Sequence, residues 1–148
     1  MSNSSHEITV NRKARFEYEI LETYEAGIVL TGTEIKSIRH GSVSIEDAYV
    51  VIHEAPYLIN ASIAPYQFGN IHNHEEKRAR KLLFHHLEIK KLEKALNLQG
   101  LTLIPLSLYF KNGYVKVKVG VARGKKLYDK RESIKKREQE KSIAQRMK

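Results

Sequence analysis

Apolar and polar residues alternate most regularly in the stretch IPLSLYFKNGYVKVKVGVA. Asn112-Gly113 is the preferred two-residue turn of a type I′ hairpin, so it pairs Lys111 with Tyr114 and fixes the register outward from there. This register gives an apolar inner face in which three residues fall opposite three valines, Leu106, Leu108 and Phe110 opposite Val119, Val117 and Val115. The outer face carries four polar or aromatic residues, Ser107, Tyr109, Lys116 and Lys118.

Two other stretches have the spacing of short helices. In LTGTEIKSIRHG, Thr31 or Thr33 can cap a helix that Gly41 ends. In HHLEIKKLEKALNLQG, three apolar residues share one helical face, Ile89, Leu92 and Leu96. Gly100 ends this second helix.

The remaining pattern predicts further short strands. FEYEILETYEAGIVL has strand composition with an interruption near Ala26 and Gly27. VSIEDAYVVIHEAPYLINASI predicts two strands joined near residues 54–56, with Pro56 confined to the turn. Residues 66–81 are polar and predict a loop.

These elements predict a mainly β fold, a small antiparallel OB-like β-barrel with short flanking α-helices and a basic C-terminal tail. Residues 1–7 are rich in Ser and Asn, and we expect them to be flexible. Residues 8–123 have the length of one barrel domain. Residues 124–148 contain too few apolar residues to bury, so we expect this tail to be disordered when alone.

Positive charge is concentrated in that tail. The chain carries a net charge of +9, of which +6 comes from residues 124–148, with ten Lys and Arg against four Asp and Glu. Such a segment is typical of an arm that binds a polyanion, although a solvated solubility tail is the alternative. Neutralised by phosphates, it could form a helix about 38 Å long.

The body has smaller basic clusters. They comprise three groups, Asn11, Arg12, Lys13 and Arg15, then Lys36 and Arg39, then Lys77, Arg78, Arg80 and Lys81. Lys and Arg bind phosphates, and tyrosines can stack on unpaired bases. Each cluster alone is more often a solvated surface, but together they favour binding of RNA.

The sequence also argues against several classes of protein. It has no cysteine, which excludes disulfides and thiolate metal sites and fits a reducing cytoplasm. No apolar run approaches the roughly 20 residues that span a bilayer, and residues 1–9 lack the apolar core of a signal peptide. We therefore expect a cytoplasmic protein that does not bind a membrane.

The histidines give the main competing hypothesis. His72-x-His74 with its neighbouring glutamates, and His85-His86, could in principle form a metal site or the acid and base of a ribonuclease. No HExxH spacing is present, however, and no nucleophile elbow, Walker loop or glycine-rich dinucleotide turn. We therefore predict no enzymatic activity, no catalytic residue, no metal and no cofactor.

Several stretches together resemble one family. They are NRKARFEYEI, YEAGIVLTGTEIKSIR, NASIAPY, NHEEKRARKLL and GLTLIPLSLYFKNGYVKVKVGVARGKKLYDKRE. In this order, from about Ile8 to Lys148, they resemble the SsrA-binding protein (small protein B, SmpB) family, the bacterial partner of transfer-messenger RNA. The resemblance implies an OB-like barrel that binds the tRNA-like part of this RNA and takes the place of its missing anticodon arm.

The resemblance also implies the partners of the tail. In a ribosome stalled at the end of a broken message, the tail would become helical in the empty mRNA channel beyond the decoding centre of the small subunit. Elongation factor Tu would take part in delivery of the RNA, and the protein would act as a monomer. A general RNA-binding barrel with a basic tail is the alternative within the same class, and it would bind most structured RNAs similarly.

The resemblance assigns roles to individual residues. Those that would contact RNA or lie next to it are Asn11, Arg12, Lys36, Arg80, Lys81, Lys116 and Lys118. Glu25 would help to shape the RNA-binding surface, and Leu83 would support it from below. The ribosome-binding tail motif would comprise Arg123, Lys125, Lys126, Tyr128, Asp129, Lys130 and Arg131. Within it, Tyr128 could stack on a base of the decoding centre.

Two features depart from the family pattern. Glu76 stands where relatives commonly have proline, which predicts a looser loop with its basic residues intact. The chain also ends at Lys148, somewhat early for the family pattern.

Overall fold

The computed structural model describes residues 5–66 and 73–124. The strands in these ranges are β1 Ser5–Val10, β2 Tyr18–Ile28, β3 Val43–Ser44, β4 Tyr49–His53, β5 Ala55–Ile59, β6 Ser62–Ile63, β7 Arg80–Leu83, β8 Thr102–Lys111 and β9 Tyr114–Gly124. The helices are α1 Ala14–Glu17, α2 Gly32–Arg39 and α3 His86–Leu98. The start of β1 means that residues 5–7, which we predicted to be flexible, pair with β8.

The strands close into a barrel. Their order is β1-β8-β4-β5-β7-β2-β9, and β8 also pairs with β9, so that six strands form a ring and β1 is added at β8. Every pairing is antiparallel. Strands β3 and β6 form a separate two-stranded sheet. The predicted mainly β, OB-like fold is therefore confirmed.

The β8–β9 hairpin follows the predicted register near its turn. Lys111 pairs with Tyr114, and the predicted register continues as far as Ser107 and Lys118. Beyond that point a bulge shifts the register, so that Val119 lies opposite Pro105 rather than opposite Leu106. The prediction for Leu106 was wrong because an extra residue in one strand turns the side chains that follow to the other face.

Buried apolar side chains form two clusters, and each helix packs on one of them. The larger cluster fills the barrel and includes Leu58, Leu103 and Val117, with Ile38 of α2 and Leu92 of α3 packed into it. The smaller cluster lies outside the sheet and consists of four buried residues, Ala14, Ile104, Leu106 and Ala122. Helices α2 and α3 thus contribute to the barrel core, whereas α1 covers part of its outer wall.

Capping side chains set the starts of both longer helices. Thr31 caps α2, with its hydroxyl accepting from the backbone N–H of Glu34 and the Glu34 carboxylate accepting from the N–H of Thr31. His85 and Glu88 form the same arrangement at α3. This reciprocal pairing satisfies backbone donors that a helix start otherwise leaves without partners. The predicted cap at Thr31 is confirmed.

Three local predictions were wrong. Strand β2 runs without interruption through Gly27, which pairs with both β9 and β7. Pro56 lies within β5 opposite Ile52, and the turn is at Glu54, whose φ is +65°. Pro56 is tolerated because pairing of β5 with β7 begins only at Tyr57, so no N–H is required of it on that side. The end of the predicted loop, residues 80–81, belongs to β7.

Candidate nucleic-acid interface

The outer wall of β2, β8 and β9 gathers several of the predicted RNA-binding residues. Glu25 lies opposite Lys118, Gly27 lies opposite Lys116, and Lys116 also lies opposite Tyr109. Residues directly opposite in antiparallel strands share a face. We call this wall the basic sheet face, defined by Glu25, Gly27, Ser107, Tyr109, Lys111, Lys116 and Lys118.

Glu25 is held in a fixed position on the basic sheet face. Its Oε2 accepts a hydrogen bond from the Tyr109 hydroxyl at 2.6 Å and one from Lys111 Nζ at 3.2 Å. The bond from Tyr109 is the main cause that holds the pKa of Glu25 below its usual value, and Lys111 and Lys116 act in the same direction. The carboxylate is therefore ionised at neutral pH. Burial and the neighbouring Glu25 raise the pKa of Tyr109, so that its hydroxyl remains a donor.

Strand β7 extends this wall. Lys81 and Leu83 point outward, whereas Arg80 and Leu82 are buried. A Cβ atom at Gly27 would lie 3.3 Å from the Leu83 side chain, so the glycine allows β7 to approach closely. Leu83 is 53% exposed. It therefore lies on the surface itself and does not support that surface from below, which corrects the predicted placement.

Arg80 lies in the interior. It is fully buried, and its Nε pairs with a Glu34 carboxylate oxygen at 2.5 Å. Its other donors bond to four backbone carbonyls, those of Ala61, Glu75, Glu76 and Arg78. The nitrogens of the Arg80 guanidinium group thus all bond to other parts of the protein. Arg80 therefore does not contact a phosphate in this conformation. Its role is to hold the loop that precedes β7.

Glu34 joins that loop to α2. Arg78 donates to Glu34 Oε1 at 2.6 Å, so one buried carboxylate pairs with two guanidinium groups. Desolvation alone would raise the pKa of Glu34. The hydrogen bonds from Arg78, from the Thr31 N–H and from Arg80 outweigh this effect and lower the pKa. Burial of these ionised groups is possible because they are paired and hydrogen-bonded.

Asn11 is also an interior residue. Only 5% of it is exposed, and its Nδ2 donates to the carbonyls of Pro105 at 3.0 Å and Ile45 at 3.4 Å. Asn11 therefore links the segment after β1 to β8 and to the residues before β4. Its side chain is buried and does not contact RNA in this conformation. The adjacent Arg12 is exposed.

Lys36 lies on the exposed side of α2. Its Nζ lies 5.4 Å from the centroid of the Tyr66 ring, within the range of a cation–π contact. The ring of His40 stacks against the same tyrosine at 6.1 Å between centroids. The structure thus combines a cation and two rings at this position, which is separate in sequence from the basic sheet face.

The tail motif begins at the end of β9. Arg123 donates to Glu19 at 2.6 Å, in an exposed ion pair across β2 and β9. The rest of the motif lies outside the described residues, Lys125, Lys126, Tyr128, Asp129, Lys130 and Arg131. Its roles stay predictions.

The described histidines of the competing hypothesis, His74, His85 and His86, have structural partners. His74 bonds through Nε2 to the Ile63 carbonyl at 2.9 Å, and through Nδ1 to the Thr33 hydroxyl at 2.8 Å. His85 caps α3 and stacks on His86 with 4.8 Å between ring centroids. His72 lies outside the described residues. Across the described part of the chain, no three His, Asp or Glu residues are arranged to hold a metal ion.

Lys111 and Tyr114 are surface residues that the sequence prediction of the site left out. Lys111 bonds to Glu25, and Tyr114 is 71% exposed at the end of the hairpin. The signal for both was present, because the Asn112-Gly113 turn pairs them on the face that carries Tyr109 and Lys116. In residues 5–66 and 73–124, no helix is long and apolar enough to cross a membrane.

Comparison with known proteins identifies the family. The model of the family described as SmpB protein matches residues 8–148. A protein named SsrA-binding protein from Chlamydia pneumoniae is 57% identical, with 96% of this chain and 95% of that protein covered. One of the same name from Protochlamydia amoebophila is 53% identical, with 100% and 97% covered.

A solved structure gives the same result. This chain resembles one described under "tmRNA-SmpB: a journey to the center of the bacterial ribosome" with a TM-score of 0.68 and 47% sequence identity. The match covers 85% of this chain and 93% of the other. Sequence and structure agree over nearly the whole length, and the chain belongs to the SmpB family.

Proposed function

We propose that this protein is the RNA-binding adaptor of trans-translation: it binds the tRNA-like part of transfer-messenger RNA and delivers that RNA to stalled ribosomes. The observation that carries the proposal is the basic sheet face on a barrel of the SmpB family. Relatives at more than half identity are named for binding SsrA, and a structural neighbour is described with tmRNA and the ribosome. The protein acts by binding and positioning, and not as an enzyme.

The body binds the RNA through surface residues, which are exposed except for the half-buried Lys116. Lys116 and Lys118 of the basic sheet face contact phosphates, and the residues that extend this surface are Arg12, Lys36, Lys81 and Leu83. Solvent access supports the lysines and Arg12 of this set, because a phosphate contact requires a cation that solvent can reach. Asn11 and Arg80 act indirectly, by fixing the segments next to this surface.

The tail acts on the ribosome. Residues 124–148 carry a charge of +6, which suits the polyanionic wall of an RNA channel. We assign to this segment the sensing of an empty mRNA channel and of the decoding centre, with the motif from Arg123 to Arg131 at its start. The protein works as a monomer in the cytoplasm, together with elongation factor Tu.

A salt-titrated binding assay tests the proposal. The full-length protein and a variant without residues 124–148 are measured against transfer-messenger RNA, an ordinary tRNA and an unrelated hairpin. Affinity at low salt is uninformative, since a protein that makes 6 to 10 phosphate contacts with a DNA duplex loses about 10³- to 10⁵-fold between about 50 and 200 mM salt, and other polyanion binders also weaken steeply. The informative quantity is selectivity near physiological salt.

We expect both proteins to prefer transfer-messenger RNA, and only the full-length protein to support tagging on stalled ribosomes. Similar affinity for all three RNAs would instead indicate a general RNA-binding barrel. Loss of RNA selectivity together with the tail would contradict the division of roles between body and tail.

A further inference from the structure

A small hollow lies between α1 and the residues just before β4. Its volume is about 200 Å³, below the range of about 300–1,000 Å³ that holds most small molecules. Two buried apolar residues, Ala14 and Ile104, form part of its lining, and none of its lining residues belongs to the basic sheet face. The hollow is therefore a separate feature of the surface, with room for the end of one side chain.

Asn11 contributes a buried acceptor to this hollow. The residue is 5% exposed, and its Nδ2 donates to the carbonyls of Ile45 and Pro105. Its Oδ1 is buried and accepts no hydrogen bond from the described residues. A buried acceptor without a donor costs free energy, and most such atoms in proteins have a partner. The hollow that Asn11 lines is where a donor from outside can reach it.

The charged groups around the hollow favour a cationic donor. Three carboxylates line it, those of Glu17, Glu46 and Asp47, against one ammonium group, that of Lys13. Lys13 Nζ lies 3.7 Å from Asp47 Oδ1, whereas Glu17 and Glu46 form no ion pair with the described residues. The excess of negative charge repels RNA phosphates, which are bound by cations and other donors.

Three features favour a guanidinium group over a metal ion or an ammonium group. Among the residues that the structure describes, no three His, Asp or Glu side chains are arranged to ligate a metal. The acceptors lie on different segments, with Asn11 after β1, Glu17 on α1 and Glu46 before β4. A guanidinium spreads five donors around a plane, whereas an ammonium has three donors on one atom. Tyr18 and Tyr49 also line the hollow, and arginine stacks on aromatic rings.

We infer that this hollow binds the arginine side chain of a basic partner protein. The guanidinium donates to Asn11 Oδ1 and to the carboxylates of Glu17 and Glu46. A protein side chain fits better than a group of RNA, because nucleotide bases carry no positive charge at neutral pH and bring a phosphate with them. This contact is additional to the RNA binding of the proposed function and does not depend on it.

An NMR titration of the isotope-labelled full-length protein tests the inference. The probe is N-acetylarginine amide, and the signals followed are the backbone and side-chain amides of Asn11. N-acetylcitrulline amide has nearly the same shape without the charge, and N-acetyllysine amide has the charge without the planar donors. We expect a saturable shift of the Asn11 signals with the arginine probe, a weaker response to the lysine probe and none to the citrulline probe at the same concentration.

Glu46→Gln removes one carboxylate from the rim of the hollow. It should weaken binding of the arginine probe by about 1.5- to 5-fold, the contribution of an exposed ion pair. Glu22→Gln is the matched control, because Glu22 is equally an exposed carboxylate but lines a different groove, beside α3. It should leave the affinity unchanged, and both variants should keep the melting temperature of the unsubstituted protein.

The inference is overturned if the arginine probe does not shift the Asn11 signals, which would mean that solvent alone satisfies Oδ1. An equal response to the citrulline probe or to magnesium chloride would exclude recognition of a guanidinium. An equal response to guanosine monophosphate would assign the hollow to RNA and would equally contradict the inference. Equal weakening by Glu46→Gln and Glu22→Gln would show an effect of overall charge and not of this hollow.

Discussion

Glu25 and Glu34 are both carboxylates held by cations, but the two clusters lie in opposite surroundings. Glu25 bonds to Tyr109 and Lys111 on the outer wall and is 40% exposed. Glu34 pairs with two arginines and its side chain is fully buried. In the open cluster an acceptor remains for a partner, whereas in the buried cluster every bond is made within the protein. Burial, and not residue type, therefore separates a carboxylate that a partner can reach from one that only supports the fold.

The same contrast appears between two consecutive residues of β7. Arg80 is buried and Lys81 is exposed, because successive side chains of a strand point to opposite faces. Both belong to one basic run in the sequence, and both were predicted to lie at the RNA. Only Lys81 reaches the surface.

Removing the buried carboxylate should have the largest effect. Glu34→Ala leaves two guanidinium groups without their partner, one of them wholly buried, and breaking a buried pair in this way costs about 3–5 kcal/mol of the free energy of unfolding. The loss is measured by urea unfolding of Glu34→Ala and of the unsubstituted protein, each with and without residues 124–148.

Glu25→Ala is the control for that prediction. An exposed ion pair contributes about 0.2–1 kcal/mol, so this variant should lose far less stability. Equal losses for the two variants would show that burial does not divide the clusters in the way the structure indicates.

Lowering the pH should reduce the stability that the buried Glu34 cluster provides. We expect this effect to be smaller than that of Glu34→Ala. The pKa of Glu34 in the folded protein lies below 4.5, so its contribution to stability is complete above the unfolded pKa and is lost as pH falls through the folded pKa. Each unit of lowering corresponds to about 1.4 kcal/mol. The free energy of unfolding measured from about pH 7 to about pH 3 should therefore fall more steeply for the unsubstituted protein than for Glu34→Gln. Parallel curves would contradict this assignment.

Substitutions on the open wall should change binding with little change in stability. Lys116→Gln and Lys118→Gln should each lower the slope of log affinity for transfer-messenger RNA against log salt by about 0.7 to 0.9. The free energy of unfolding should stay within about 0.5 kcal/mol, as is usual for surface changes. Lys90→Gln, on the exposed side of α3, is the control. A salt slope that does not respond to either sheet variant would remove the basic sheet face from the RNA contact.

Sequence signals between neighbouring residues predicted most of the fold. The Asn112-Gly113 turn fixed the hairpin register as far as Ser107 and Lys118, and the Thr31 cap and the apolar spacing in α3 located two helices. These features depend on residues close together in the chain, so a single sequence contains the information. The outer wall that carries Tyr109 and Lys116 followed directly from the turn.

Long-range contacts account for what was missed. The bulge at Leu106 accommodates packing on Ala14, almost a hundred residues away in sequence. The burial of Asn11 depends on carbonyls of Ile45 and Pro105, and that of Arg80 depends on Glu34. No periodicity near either residue distinguishes a polar side chain that bonds inside the protein from one that faces a partner.

Closure of the barrel by β9 has a consequence for synthesis of the protein. Strand β9, Tyr114–Gly124, pairs with both β2 and β8, so most of the core it covers has no wall until that strand has been made. A chain that breaks off before residue 114 would expose this core and would be a substrate for proteolysis. A message that ends early would therefore yield no partly working adaptor that could occupy the RNA.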